Sequence, residues 1–446
     1  MPFHRRIKFI LWIAAAALCP VVLTAQTTPA KSSATPGAST SQMSMSTDSS
    51  MSSMGGPTDT LTENILRHTT SGTSLDPNST TPPMLMQMRH NWMLMLHGQA
   101  SIVEQQQSGP RGRDKFFSVN WIMPMAQCNW ASSQLTLRTM LSLEPATISG
   151  RYYPELFQQG ETAFGKPIID GQHPHNLFME IAMLYDYKAG DQTLFSLYAA
   201  LVGDPALGPV AFPHRASAAE DPLAPLGHHL QDSTHIADEV VTGGLTWHKF
   251  HVEASGFHGR EPDENRWHIE AGGLDSWSAR LTVAPTNDVT AQYSAGHLHS
   301  PEAQHPDEDV LRQTASIAYH HSWQSTTLDA LALWGRNHSI GTPTNSNGYL
   351  FEALSQIRGR HSIWIRIENV DRTTDLIGAS APPEESVIGR VQAYTAGYAH
   401  HLYRNGWSSG DLGAQITSYT TPALLRSQYG DRPFGVAAVV NIHLGK

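Results

Sequence analysis

Histidine and carboxylate side chains are concentrated in two stretches of the chain. The first stretch, DGQHPHN, contains Asp170, His173 and His175. In extended chain, alternate side chains project to the same side, so the H-P-H spacing directs both imidazoles one way. Neutral imidazole together with carboxylate suits Zn, Cu or Ni. This stretch is therefore predicted to supply ligands to a transition metal.

The second stretch, LGHHLQDSTH, contains His228, His229, Asp232 and His235. If it is helical, His228, Asp232 and His235 stand at i, i+4 and i+7 and share one face. A short helical run can then present three metal ligands without help from distant chain. The alternative is that these histidines are polar loop residues, hydrogen-bonded to one another and to water.

Methionines near the N-terminus give an independent indication of metal chemistry. The stretch MSMSTDSSMSSM lies in polar, low-complexity chain that offers no core for a thioether to fill. Thioether sulfur is a soft ligand that favours Cu(I). The candidate tail ligands are Met43, Met45, Met51 and Met54. The alternative is that these methionines have no role and reflect random changes in the composition of a low-complexity linker.

An enzymatic function is not expected. A hydrolase would need Ser233 with His235, or a metal-activated water at His173 and His175, but no G-x-S-x-G nucleophile motif is present. The loop REPDENRW is interpreted as a salt-bridge network rather than a paired-carboxylate catalytic site.

The elements that must position these residues follow from composition. The chain has 446 residues, 40% hydrophobic and 15% charged, with a formal net charge of -10. This excludes a wholly disordered protein and disfavours nucleic acid as a partner. Residues 1–25 have the charged start, apolar stretch and small-residue end of a signal peptide. Residues 26–85, rich in Ser, Thr and Met, are predicted to be disordered, and residues 86–446 to form the folded domain.

Period-two alternation dominates that domain. In HSIWIRIEN, for example, Ile363, Ile365 and Ile367 stand opposite Arg366 and Glu368. About 16 such segments are counted, with a range of roughly 12 to 18. Alternate connections between them are short, as at 248–249 and 358–360, and the others are mostly longer, as at 204–237. Outer-membrane barrels have this asymmetry of short periplasmic turns and long extracellular loops.

The predicted fold is therefore all-β: a transmembrane antiparallel β-barrel in the outer membrane of a Gram-negative cell. Trp247, Trp323 and Trp407 stand beside predicted strand ends, where a membrane-interface belt is expected. The alternative is a soluble, secreted all-β protein, which also alternates. Charged strand residues would be costly against lipid and are predicted to line the lumen. They are Arg138, Glu144, Glu180, Arg280, Arg366, Glu368 and Arg390.

Two resemblances follow from these features. The leader, the Met-rich segment MSMSTDSSMSSM and a His-containing barrel resemble the copper-resistance B-type outer-membrane proteins. The stretches GQHPHNLFMEIAMLY, LGHHLQDSTHI and GREPDENRWHIEAGGLDSWSARL look more like a group of uncharacterised Gram-negative outer-membrane proteins. The first resemblance implies metal handling, and the second implies no known activity.

Two function classes are favoured, and a barrel-embedded hydrolase is kept as a further alternative. The first is a barrel that binds or passes a small solute linked to transition-metal handling, with copper favoured and zinc as the other candidate metal. The second is a general or solute-selective porin in which the histidines are incidental. Both predict outer-membrane lipid and a small ion or solute as partners. Neither fixes the oligomeric state.

Overall fold

The computed structural model describes residues 56–341, 344–377 and 386–445. The predicted signal peptide, most of the predicted disordered segment and the tail methionines Met43, Met45, Met51 and Met54 lie outside the described residues. No helix in the described ranges is long and apolar enough to cross a membrane.

The core of the structure is a closed barrel of 16 antiparallel strands, as predicted. The barrel strands are β2 (Trp92–Gln107), β3 (Lys115–Trp130), β4 (Ser133–Leu141), β9 (Phe178–Gly190), β10 (Thr193–Gly203), β11 (Ala237–Trp247), β12 (Phe250–His258), β13 (Ser276–Thr286), β14 (Val289–Leu298), β15 (Val310–Ser322), β16 (Thr326–Ser339), β17 (Asn345–Ile357), β18 (His361–Thr373), β19 (Val387–Arg404), β20 (Ser408–Thr420) and β21 (Phe434–Leu444). Each pairs with its neighbours along the chain.

Five shorter strands lie outside this ring. They are β1 (Leu85–Arg89), β5 (Tyr153–Pro154), β6 (Glu161–Ala163), β7 (Lys166–Ile168) and β8 (Gly171–Gln172). The last four form two small sheets within the connection between β4 and β9.

The barrel closes where β2 meets β21, with Gly98 opposite Leu444. Strand β1 pairs with the first residues of β2, where Leu85 faces Leu96. β1 is hydrogen-bonded to the start of β2, and β21 is hydrogen-bonded to the rest of β2 along the same edge. Strand β1 therefore lies in line with β21 where the barrel closes.

The predicted asymmetry of the connections is confirmed. The turn between β11 and β12 consists of residues 248–249, and that between β17 and β18 of residues 358–360. His248 takes the left-handed conformation (φ 54°) that tight hairpins require. At the other end, β10 and β11 are joined by residues 204–236. Trp247, Trp323 and Trp407 lie at the short-turn end and are 59%, 53% and 75% exposed, as an interface belt requires.

The two faces of the sheet differ as a membrane barrel requires. Large apolar side chains such as Leu245, Val252 and Ile365 are exposed on the outer face. The inward positions between them carry polar and ionised groups, for example Glu253 and Arg366, which are buried. A soluble all-β protein would have the reverse arrangement, so the membrane barrel is confirmed over that alternative.

Residues 56–85 differ from the prediction of disorder. The chain forms a helix at Leu61–Arg67, and most residues of 68–80 are buried. This part of the chain enters the lumen from the short-turn end.

Candidate functional site

The connection between β4 and β9 packs Tyr153 and Phe157 against the inner wall at the long-loop end, and two further pieces of the chain occupy the lumen of the barrel. Residues 56–84, termed the docking segment, precede the barrel. Residues 204–236, termed the long loop, connect β10 to β11. The contacts of these two pieces with the inner wall form the candidate functional site.

The helix of the docking segment has local reasons to form. Thr60 is its N-cap, and its hydroxyl accepts a hydrogen bond from the Glu63 backbone N–H. Leu61 and Ile65 lie one turn apart and pack on Leu194 and Ala284 of the wall. His68 ends the helix in the left-handed conformation, with φ 48°.

Arg138 on β4 is the main polar anchor of the docking segment. Its guanidinium pairs with Glu180 at 2.7 Å through two hydrogen bonds, and its side chain is 0% exposed. The remaining guanidinium hydrogens bond to carbonyl oxygens of the docking segment. These belong to His68 (2.9 Å), Thr70 (2.7 Å) and Gly72 (2.6 Å). The buried Arg138 guanidinium thus links the wall to three alternate residues of the docking segment.

Asp204, the first residue of the long loop, lies against the same segment. Its carboxylate accepts a hydrogen bond from Ser71 Oγ at 3.0 Å. Gly72 has φ +56°, and a Cβ placed on it would lie 2.5 Å from the Asp204 carbonyl oxygen. Glycine is therefore required at this crossing. Burial raises the pKa of Asp204 to about 7, despite the nearby Arg280.

The long loop is held by a buried ion-pair network. Arg215 bonds to Asp232 within the loop at 2.6 Å and to Glu352 on β17 at 3.1 Å. Arg366 on β18 bonds to the same Glu352 at 3.1 Å and to Asp221 of the loop at 3.0 Å. Charges alternate through the network, so each buried ion has an opposite partner.

Arg312 on β15 holds another part of the long loop. It donates to the His229 carbonyl at 2.7 Å and to Ser233 Oγ at 2.8 Å. Nearby, His235 Nδ1 contacts the Asp232 carbonyl.

The predicted lumen residues are placed as follows. Arg138, Glu180, Arg280, Arg366 and Glu368 are buried on inward positions of strands. Glu144 is also buried, but it begins the helix Glu144–Thr147 and does not lie on a strand.

The prediction for Arg390 is wrong. This residue lies on the outer face near the long-loop end of β19, pairs with Asp371 at 2.7 Å, and its side chain is 44% exposed. Its guanidinium also lies 5.6 Å from the centre of the Tyr349 ring. An outward charge is tolerated there because the strand end lies away from the apolar midline, where the cost of a charge is greatest.

The predicted metal ligands separate into groups. His173 and His229 come together with Glu161, and one ligand atom from each lies within 4.8 Å of the others. All three are buried. Arg266 of the loop REPDENRW bonds to Glu161 at 2.6 Å, and His173 Nε2 lies 2.6 Å from the same carboxylate. His173 and Arg266 hold the pKa of Glu161 below its ordinary value against the effect of burial.

His175, His228 and His235 form a separate cluster around Phe212 of the long loop. The His235 ring centre lies 5.3 Å from that of His175 and 5.2 Å from that of His228. His175 Nδ1 contacts Glu144 at 2.9 Å. The predicted helical face is wrong beyond residue 231, because the helix comprises His228–Gln231 and a 3-10 turn follows at Ser233–His235.

The predicted ligand carboxylates have other partners. Asp170 pairs with Arg111 at 2.6 Å and accepts a hydrogen bond from the Phe157 N–H. Asp232 contacts His228 at 2.7 Å and Arg215 at 2.6 Å. Burial opposes its charge, but Arg215 and His228 hold the pKa of Asp232 below its ordinary value.

A further cluster was not predicted from the sequence. His443 Nε2 lies 3.5 Å from Asp411 and 3.8 Å from Glu220 of the long loop. His401 also pairs with Asp411. These three wall residues stand near the short-turn end of β19–β21, so the long loop reaches deep into the barrel.

Space remains between the two lumen pieces and at the outer end. A narrow cavity lies between the docking segment and the long loop, lined in part by Ser74, Gly208 and Arg280. A second cavity lies at the long-loop end, lined in part by His229 and Asn337.

Comparisons with known proteins agree with this architecture. The chain is similar in structure to OmpF of Salmonella typhi in complex with daunomycin (TM-score 0.51, 10% identity, 80% of this chain and 100% of that chain covered). It is also similar to an anion-selective porin from Comamonas acidovorans (TM-score 0.49, 10% identity, 79% and 99% covered). A third similar structure is the outer-membrane channel DcaP of Acinetobacter baumannii (TM-score 0.44, 9% identity, 80% and 99% covered).

No protein-family model matches the chain, and no curated protein matches it either. The resemblances to copper-resistance proteins and to the uncharacterised group therefore stay predictions. The likeness to OmpF establishes the fold alone. With its apolar outer face and its interface tryptophans, that fold is a porin-type β-barrel of the outer membrane.

Proposed function

We propose that this protein is an outer-membrane channel in which a small hydrophilic solute passes beside the long loop, and that the docking segment closes this passage at rest. The observation that carries the proposal is the polar character of the docking contacts. A barrel of about 16 strands is wide enough for an aqueous passage unless chain folds into it. Here the docking segment is held by buried hydrogen bonds, as at Arg138 of the wall and Asp204 of the long loop.

Polar contacts make reversible undocking feasible. When the segment leaves, water can replace its hydrogen bonds to the wall, so each lost bond has a modest net cost of about 0.5–1.5 kcal/mol. The apolar part of the interface comprises Leu61 and Ile65 against Leu194 and Ala284, with Leu66 and Leu75 packed on the same cluster and Met84 against the buried methionines of the wall. The strand pairs of the barrel do not involve residues 56–84, so the ring stays closed when they undock.

The test is single-channel recording in planar lipid bilayers. The intact protein is expected to be closed most of the time, whereas a variant lacking residues 56–80 should conduct steadily in ordinary salt. A deletion of equal length at residues 27–51 serves as the control, because it leaves the docking segment in place. A deletion of 56–80 that folds, inserts and remains electrically silent would contradict the proposal.

A second candidate function, transition-metal binding at the outer end of the lumen, is supported by the group Glu161, His173 and His229. Burial lowers the pKa of His173 and so favours the neutral imidazole that a metal ligand must be. Oε2 of Glu161 is held by Arg266, and Oε1 lies 2.6 Å from His173 Nε2, so a Zn²⁺, Cu²⁺ or Ni²⁺ ion bound by these two ligand atoms would replace the hydrogen bond between them.

Equilibrium dialysis with Zn²⁺ tests this second candidate. His229→Gln should lower the bound Zn²⁺ by one equivalent, and His248→Gln, in the exposed turn of a hairpin, should not. Equal binding by both variants and the intact protein would rule out this group as the site.

A further inference from the structure

Methionine side chains cover one sector of the inner wall. They come from β2, β3, β4 and β9 and pack together as one buried cluster, termed the methionine cluster. Its members are Met93, Met95, Met123, Met125, Met140 and Met179, with Met84 and Met86 packed against it. Met84, Met86, Met93 and Met95 also line a cleft beside the docking segment at the short-turn end. The cluster thus extends from that mouth into the lumen.

Two histidines lie at the inner end of the methionine cluster. His214 of the long loop places Nε2 at 2.9 Å from the Met140 sulfur. His97 on β2 is the register partner of Met123 on β3, and its ring centre lies 5.9 Å from that of His214. The Trp121 ring packs against both, at 4.0 Å from His214 and 4.7 Å from His97.

These two histidines differ from several other lumen histidines. His68, His175 and His228 each contact a carboxylate. In the described part of the chain, neither His97 nor His214 has an acidic partner, and Nδ1 of each is buried without a hydrogen bond. Only 8% of His97 is exposed. A buried polar atom left without a partner costs about 1–3 kcal/mol, which a bound ligand could offset.

The chemistry of the surrounding atoms selects the class of ligand. Thioether sulfur and imidazole nitrogen are soft or borderline ligands, and thioether favours Cu(I). The set carries no negative charge, and burying a cation among neutral ligands is least costly when the ion is monovalent. Burial lowers the pKa of His214 well below its ordinary value, so its imidazole is neutral. The indole face of Trp121 can add cation–π stabilisation.

We propose that Met140, His214 and His97 form a binding site for a soft monovalent cation, Cu(I) or Ag(I), inside the lumen. Met123 stands beside His97 and supplies a further thioether at the same place. The methionine cluster gives the ion a continuous soft surface from the short-turn mouth to this site. This site includes none of the carboxylate-bearing groups, and ion binding there does not depend on solute passage.

The site is tested by titrating the intact, detergent-folded protein with Cu(I) under anaerobic conditions against a competing chelator. Met140→Leu and His214→Phe should each weaken the tightest binding about 10- to 100-fold or more. Met183→Leu is the matched control, because Met183 lies on the outward side of β9 and outside the cluster. Retained heat-modifiable migration on gels confirms that each variant has folded.

X-ray absorption at the copper edge identifies the ligands and separates this site from the methionines of residues 26–55. Mixed sulfur and nitrogen scattering that loses sulfur in Met140→Leu is the expected result. Sulfur-only scattering unchanged by both substitutions would assign the ion to the N-terminal tail and overturn the proposal, as would the absence of Cu(I) binding. Conductance of Met140→Leu, recorded in parallel, reports on passage separately.

Discussion

Replacing Arg138 by methionine tests whether docking of residues 56–84 depends on one buried cation. The substitution keeps the length of the side chain but removes its pairing with Glu180 and its hydrogen bonds to the carbonyls of His68, Thr70 and Gly72. In the docked state Glu180 then remains buried without a counterion. In the undocked state the lumen is wet, and Glu180 regains hydration. The whole penalty therefore falls on docking and not on the barrel.

The size of the effect follows from the burial of both partners. Removing one member of a buried ion pair costs about 3–5 kcal/mol. At about 1.4 kcal/mol per factor of ten, the undocked population should rise by a factor of roughly one hundred to several thousand. The readout is the maleimide labelling rate of a cysteine placed at Ser74, which is 3% exposed when docked. Labelling is followed on the Ser74 peptide by mass spectrometry.

Two further variants make the result decisive. Arg138→Met combined with Glu180→Gln removes the unpaired charge and should recover part of the lost docking. Arg336→Met on the outer face of β16 should leave the labelling rate unchanged. If Arg138→Met labels within about threefold of the parent rate in a folded barrel, the docking segment is not held as inferred from these contacts.

Three other expectations can be measured on the same barrel. Burial raises the pKa of Asp204 to about 7, above its ordinary value of 3.8, so the docked state binds the proton more tightly. Docking should therefore be strongest below about pH 4, weaken as the pH rises toward 7 and change little above that. Asp204→Asn should flatten this dependence of the Ser74 labelling rate, and an unchanged pH profile would contradict the assignment. Gly72→Val should speed labelling because its Cβ meets the Asp204 backbone, while Gly165→Val, also at positive φ but with open space around it, should not. Ile365→Arg on the outer face should lower barrel stability in lipid by about 2–4 kcal/mol in urea unfolding, and Ile365→Leu should be nearly neutral.

The barrel could be predicted from the sequence because two local signals agree. Alternation fixes which face of a strand each residue takes, as in Ile363–Glu368, and the lengths of the connections fix which ends are short turns. Hydrophobic alternation is weak at strand ends, where flanking chain is polar on both faces. Arg390, near the start of β19, was assigned to the wrong side for this reason.

The segments inside the lumen could not be predicted as well from the sequence, because their positions depend on the paths that the long connections take in three dimensions. His229 of the long loop meets Glu161 and His173 of the connection between β4 and β9 although strands β9 and β10 separate them in the chain, and no local pattern encodes that encounter. The docking segment was missed because its Ser- and Thr-rich composition continues that of the preceding tail. A signal was present in TLTENILR, where Thr60 and Glu63 mark a helix start and Leu61 and Ile65 share one face.

The seam between β2 and β21 joins the first and the last strand of the barrel. Forming such a contact requires loop closure over nearly the whole sequence, which is slow compared with pairing neighbouring hairpins. During biogenesis the sheet should therefore persist in an open form. Its charged inner face then contacts water, and the backbone N–H and C=O groups of its two edge strands lack strand partners. Only when the last strand is in place can the seam join, which gives an assembly catalyst a single step on which to act.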